Sequence, residues 1–358
     1  MVRSTQRRGA EVFAVDLAAA LEAEGVAGRV VALTPAAGAG PRLDVPALGA
    51  RPMGPGTLRA LRRAATGAGV VVAHGSRTLD ACAVALAGSG RPFVYRSIGD
   101  PAAWSAHGVR RWRTALLLRR AARVTALWPG AADTLRTVHG VPAAKLAVIP
   151  NGVAVATHPE PGPDDRVAAR SHLGLPAEAP VAVCIGALSP EKRVDAAIDA
   201  VARLPGVHLL VVGGGPERAA LEARAAAGPA AGRVHFAGVL PAVGDALAAA
   251  DVAVLASRTE GMPGVLIEAG LAARPCVATA VGGVAAVVED GVTGVLVPPD
   301  GGSTGGLAPA LAEALAGLLD AGPDRRAALG AAARRRCVER FALDTVAGAW
   351  AALLRSVA

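Results

Sequence analysis

A chain of 358 residues that is 53% hydrophobic and only 18% charged is long enough for two buried cores and too apolar for a disordered polymer. Its net charge of +8 is unevenly spread: residues 1–150 carry a net of +12, and residues 151–358 a net of −4. Cys82, Cys184, Cys276 and Cys337 are too scattered for metal-ligand or redox spacing, no apolar run approaches the roughly 20 residues of a membrane span, and no signal peptide is present, so the expected location is cytoplasmic.

Residues Met1–Gly9 contain no strand pattern, so the first domain reads as lacking its first strand and opening in the loop after it. A helix follows over about 10–24. Strands are expected near 29–33, 69–73, 92–96, 123–127 and 146–149, with an Arg-rich helix at 109–122 and a Gly- and Pro-rich loop at 34–56. His158 to Asp165 reads as a linker by composition, which gives domains 1–157 and 158–343. The second half alternates cleanly. Strands are expected at about 181–187, 207–213, 233–237, 251–256, 275–279 and 294–297. Helices are expected at 193–203, 216–227, 243–250, 264–273 and 284–289, then 305–320 and 324–340. Short, continuous apolar strands separated by helices mean an α/β fold of two Rossmann-like, doubly wound parallel sheets. A last helix at about 344–356 is expected to pack back on the first domain.

The most informative stretch is Ser257 to Glu268. It sets two carboxylates, Glu260 and Glu268, eight positions apart around a Gly261-Met262-Pro263-Gly264 turn. Proline suits the first turn of a helix, so Glu260 belongs to the loop and Glu268 to the helix. The open N–H groups near Gly264 and Val265 then make an anion site beside two hydroxyl acceptors. Gly186 to Asp195 also follows a strand and opens a helix. It carries Lys192, one of only two lysines among 37 cationic residues, at the edge of the sheet where ligands bind in such folds. Lysine is a point charge suited to a diphosphate. Val211 to Pro216 and Gly282-Gly283-Val284 are Gly-rich turns that serve either a ligand or close backbone packing. Neither matches the dinucleotide fingerprint, so a nicotinamide enzyme is disfavoured.

These motifs, with Ile149 to Val153, Arg233 to Gly238, Asp290 to Pro298 and Gly9-Ala10-Glu11, stand in the order seen in retaining family-4 glycosyltransferases, which the chain resembles along nearly its whole length. The resemblance implies a GT-B fold with a cleft between an N-terminal acceptor domain and a C-terminal nucleotide-sugar domain. It implies that Glu260 holds donor-sugar hydroxyls, Glu268 grips the ribose and Lys192 meets the diphosphate. Gly261, Met262, Pro263, Gly264 and Val265 would line the pocket, with Gly214 and Gly9 beside the donor. No cofactor or metal is implied; a UDP- or GDP-sugar is a substrate.

Four positions depart from the family pattern. Ala187 stands where an arginine is usual, with Arg193 as a substitute. Arg8-Gly9 replaces a Gly-Gly pair, and Ala286 replaces a glutamate. Arg96-Ser97-Ile98-Gly99-Asp100 replaces a loop that carries a histidine in many members, which makes Asp100 or Arg96 the candidate there. His74 reads equally as a structural histidine.

The expected activity is transfer of a sugar to a hydroxyl acceptor: a glycan, a lipid-linked compound or a small molecule. The alternatives are an inactive nucleotide-sugar-binding accessory protein and a sugar-nucleotide epimerase on the same fold. The basic stretch around Trp104, Arg110, Trp112 and Arg120 reads either as a helix with a solvated arginine face or as a dock for anionic lipid at the inner face of the membrane. Its aromatics are not interleaved as base-stacking platforms, which argues against nucleic acid.

Overall fold

The computed structural model describes residues 1–37, 40–105 and 108–358; the side chain of Trp104 lies outside what is described. The chain forms two compact units: Met1–Val153 with Phe341–Ala358, and Ala154–Arg340.

The first unit contains β1 (Val2–Ser4), α1 (Gly9–Ala23), β2 (Ala32–Thr34), α2 (Pro55–Ala64), β3 (Val71–His74), α3 (Ser76–Ala85), β4 (Phe93–Arg96), α4 (Pro101–Ser105), α5 (Gly108–Leu118), β5 (Arg123–Ala126), α6 (Pro129–Thr137) and β6 (Leu146–Val148). Strands β3, β4, β5 and β6 pair in that order, all parallel. The expectation of a missing first strand is overturned. Val2–Ser4 pairs parallel with β2, Val2 opposite Ala32 and Ser4 opposite Thr34. The Met1 nitrogen donates to Val72 O at 2.7 Å, and the His74 N–H donates to Met1 O at 3.1 Å, which holds the β1–β2 pair against β3. Three residues with an arginine in the middle give too short a pattern to read as a strand, yet Met1 and Val2 are buried.

The second unit contains α7 (Pro163–His172), β7 (Val181–Ile185), α8 (Val194–Ala202), β8 (His208–Val212), α9 (Arg218–Ala227), β9 (Val234–Gly238), α10 (Gly244–Ala249), β10 (Val252–Leu255), α11 (Gly264–Leu271), β11 (Cys276–Thr279), α12 (Val284–Val287), β12 (Gly294–Val297), α13 (Leu307–Asp320) and α14 (Gly322–Phe341). Its six strands run in the order β12-β11-β10-β7-β8-β9, all parallel. The inner strands are largely apolar because helices cover both faces. Val181 to Val183, Leu209 to Val212 and Val252 to Leu255 are all buried, and Leu311 and Leu315 of α13 join the same core. The strand order reverses between β7 and β10, which places a crevice beyond their C-terminal ends.

A final helix, α15 (Leu343–Arg355), packs on α1 in the first unit. It buries Trp350 completely. Five helices lie outside the elements expected from the sequence: α2, α3, α4, α6 and α7. The segment expected as a linker ends inside the last of them, because Pro163 opens α7 and Asp165 Oδ2 accepts the Gly162 N–H at 2.8 Å.

Candidate donor site

The crevice of the second unit is built by three loops. The loop after β7 brings Lys192, the loop after β10 brings Glu260, and the turn after β11 brings Gly282 and Gly283. Lys192 Nζ donates to Glu260 Oε1 at 2.6 Å, and Ser257 Oγ donates to the same oxygen at 2.6 Å. The Glu260 side chain is 8% exposed and that of Lys192 26%, so the pair is shielded yet reachable. Ser257 is wholly buried, and its carbonyl accepts the Thr279 hydroxyl at 2.7 Å, which ties the loop to β11. The Arg258 N–H donates to Glu191 O at 2.7 Å, so the Lys192 and Glu260 loops are clamped through backbone as well.

Gly282 is a position only glycine fills. Its φ is +52°, and a Cβ there would lie 1.9 Å from Glu260 O. The next amide, Gly283 N–H, donates to Gly261 O at 2.7 Å. The glycines of the β8 turn do similar work. A Cβ on Gly213 would meet Gly186 O at 1.8 Å and one on Gly215 would meet Leu188 O at 2.2 Å, while Gly214 O accepts the Leu188 N–H at 3.0 Å. That turn fastens the loop that carries Lys192.

Helix α11 starts at Gly264 with Pro263 as its N-cap. Met262 and Pro263 are buried, and the Gly264 and Val265 amides donate to no backbone carbonyl among the described residues. Their N–H groups, with the positive end of the helix dipole, form an anion cradle. One turn further, Glu268 is partly buried and meets no hydrogen-bond donor among the described residues. Its apolar setting pushes its pKa from 4.5 up to about 7. The site therefore holds one carboxylate already ion-paired and a second that has no partner among the described residues.

The remaining candidates are placed as follows. Arg193 has a left-handed backbone, φ +49°, as the N-cap of α8, and its guanidinium donates to Pro299 O at 3.1 Å. Ala187 is exposed. Asp100, in the first unit, acts as a helix cap: its Oδ1 accepts the Ala102 N–H at 2.9 Å. Gly9 opens α1 exposed, with open space where a Cβ would stand. Glu11, in the first turn of α1, is buried and its pKa is raised by that burial.

His74 and Arg96 are packed inside the first unit. The His74 ring stacks on Trp350 at 6.4 Å between centroids, and Arg96 lies 3.9 Å over the Phe13 ring and donates to Asn151 Oδ1. Burial holds the His74 pKa well below its usual value, so the ring is neutral at pH 7. Burial also lowers the Arg96 pKa, to about 9. Ser257 and Thr279 are the site residues that sequence reasoning left without a role; Gly282, read as serving either a ligand or close backbone packing, packs against the Glu260 backbone. A serine beside a strand end carries no distinguishing signal until the fold shows its oxygen on Glu260.

Comparison with known proteins bears on this geometry. A family model described as Glycosyltransferase Family 4 matches residues 7–157, and one described as Glycosyl transferases group 1 matches residues 179–321. The chain is 36% identical over 176 residues to a D-inositol 3-phosphate glycosyltransferase of Mycobacteroides abscessus, covering 47% of this chain and 39% of the relative. It is 33% identical over 226 residues to an alpha-maltose-1-phosphate synthase of Mycolicibacterium smegmatis, covering 60% and 58%. In both cases the match spans less than two thirds of the relative. The fold matches that of Anabaena Alr3699/HepE, solved in complex with UDP-glucose, with a TM-score of 0.84 at 23% identity, covering 99% and 98% of the two chains. A sucrose-phosphate synthase of Thermosynechococcus elongatus gives 0.83 at 23% identity, covering 99% and 95%. With a separate model matching each half and GT-B structures matching the whole, the chain belongs to the glycosyltransferases of group 1 and family 4.

Proposed function

We propose that the protein is a retaining, metal-independent glycosyltransferase that moves a sugar from a UDP- or GDP-sugar to a hydroxyl acceptor, with the second unit holding the donor and the first the acceptor. The observation that carries the reading is the Lys192–Glu260 pair at the switch point of the second sheet, beside the open amides of Gly264 and Val265 and the unpartnered Glu268. In this reading the diphosphate sits at the start of α11 and draws Lys192 toward its own charge. Glu260 is thereby released to accept hydroxyls of the donor sugar, and Glu268 accepts the ribose diol. The acceptor oxygen attacks the anomeric carbon on the face the leaving group departs from. The bond from that carbon to the phosphate oxygen breaks, and the acceptor proton passes to the departing phosphate. Lys192 and the helix N-terminus stabilise the charge that develops there, the part a divalent cation would otherwise play.

Incubation of the full-length protein with a panel of UDP- and GDP-sugars in the presence of EDTA tests this. Slow release of free sugar with retained anomeric configuration is expected. Binding without any turnover would favour the accessory-protein reading, an epimerised nucleotide sugar would favour the epimerase reading, and turnover that EDTA abolishes and magnesium restores would contradict metal independence.

The exposed face of α5 supports a second element of this reading, peripheral contact with an anionic membrane. Val109, Trp112 and Leu116 recur at helical spacing and are 83%, 73% and 61% exposed, amid Arg110, Arg111 and Arg113. No described helix is long and apolar enough to cross a membrane. Vesicles rich in phosphatidylglycerol should shift Trp112 emission to the blue and phosphatidylcholine vesicles should not; equal spectra in both would remove this element.

A further inference from the structure

A cavity of about 570 Å³ opens in the first unit at the C-terminal edge of its sheet, and the donor reading makes no use of it. Its walls are the start of α3, the end of β4 with the Ile98–Gly99 loop, and the first turns of α5 from Val109 to Thr114. Parallel sheets of this kind take ligands at this edge. Three guanidiniums reach the cavity: Arg77 on α3, and Arg110 and Arg113 on α5. One carboxylate faces them, Asp80, bonded to Arg113 at 3.3 Å. Arg77 and Arg110 are exposed and make no hydrogen bond or ion pair with the protein among the described residues. Positive charge therefore exceeds negative in a concave place, with two of its cations uncommitted.

Two further observations point to a ligand. Helix α3 begins after Gly75, whose carbonyl takes the Thr78 and Leu79 N–H groups, and the Ser76 and Arg77 amides are left open at the cavity wall. Tyr95 lines the cavity fully buried; its hydroxyl lies beside the buried hydroxyl of Ser97, and among the described residues that pair has no further partner. Two buried hydroxyls with only each other are under-satisfied, and a polar ligand that reaches them supplies the missing partner.

We infer that this cavity is an anion site that takes a phosphate group carried by the acceptor. The arginines and the open α3 amides receive the phosphate oxygens, while Tyr95 and Asp80 engage hydroxyls beside it. The inference rests on the reading that the first unit holds the acceptor. Phosphate chemistry comes from two sources, a soluble phosphate ester and a lipid headgroup, and the test separates them.

Thermal unfolding of the full-length protein is followed against inorganic phosphate at constant ionic strength, for the wild type, R77Q/R110Q and Lys192→Ala. Phosphate should protect the wild type and Lys192→Ala alike, and R77Q/R110Q should bind it about tenfold or more weakly, the loss expected for charge-assisted hydrogen bonds. Equal protection of the wild type and R77Q/R110Q, or protection lost in Lys192→Ala alone, would overturn the inference, because phosphate would then be reading another site. Titration of UDP into the same proteins reports separately on the donor reading and on the integrity of R77Q/R110Q, which should keep wild-type UDP affinity. Binding to phosphatidylglycerol vesicles that free phosphate displaces, and that R77Q/R110Q lacks, identifies the headgroup as the source. Phosphate protection without such binding identifies a soluble ester.

Discussion

Glu260 and Glu268 are the same side chain in the same twelve-residue stretch, yet the fold gives them different surroundings. Glu260 is already the acceptor for Lys192 and Ser257. Glu268 has no donor among the described residues, and burial lifts its pKa to about 7. The folded value exceeds the usual 4.5, so the native protein keeps a proton that the unfolded chain releases in that window. Stability of the unliganded protein therefore falls as pH rises from about 4.5 to about 7, and Glu268→Gln removes that slope. Ribose hydroxyls donate to the ionised form, so UDP affinity should rise roughly tenfold between pH 6 and pH 8, in step with the ionised fraction of a group titrating near 7. The rise is to be measured as the ratio of wild-type to Glu268→Gln affinity, which cancels the titration of the nucleotide itself; a flat ratio would refute the ribose role. The two glutamates, Lys192 and the start of α11 are legible in the sequence because spacing and the Gly-Pro turn fix them locally. The partners of Glu260 are not legible: Lys192 reaches it only through the pairing of β7 with β10, and Ser257, three residues away, shows its oxygen on Glu260 only once the loop is folded.

At the level of elements, glycine turns hold the Lys192 and Glu260 loops in register. Gly282→Ala must move the Glu260 carbonyl, because its Cβ would stand 1.9 Å away and its backbone is left-handed. We expect a loss of about 1–3 kcal/mol in stability together with weaker nucleotide binding, the usual scale for strain at such a position. A melting temperature and UDP affinity equal to wild type would show that the β11 turn does not set the Glu260 loop. The second unit's strands were legible because buried parallel strands are continuous apolar runs. Helix α3 was not, since Thr78 through Ala83 are all buried and leave no amphipathic stripe to read. Strand β1 was hidden by its length, and α7 by the Pro163-Asp164-Asp165 composition that serves equally for a linker and for a helix start.

At the scale of the whole molecule, the order of motifs carried the family resemblance further than any single motif did. Each half is matched by its own family model, and each half has its own doubly wound sheet. The first half concentrates the positive charge and the arginine-lined cavity; the second holds the two glutamates and the lysine. What the sequence alone left open, the sugar, the base and the acceptor, depends on side chains brought together from separate loops and not on any contiguous motif. The central claim is that Lys192 and Glu268 both hold a nucleotide sugar, and calorimetric titration of UDP into wild type, Lys192→Ala and Glu268→Ala tests it most directly. Each substitution should weaken binding at least about tenfold, equivalent to roughly 1.4 kcal/mol; unchanged affinity in both variants would contradict the account.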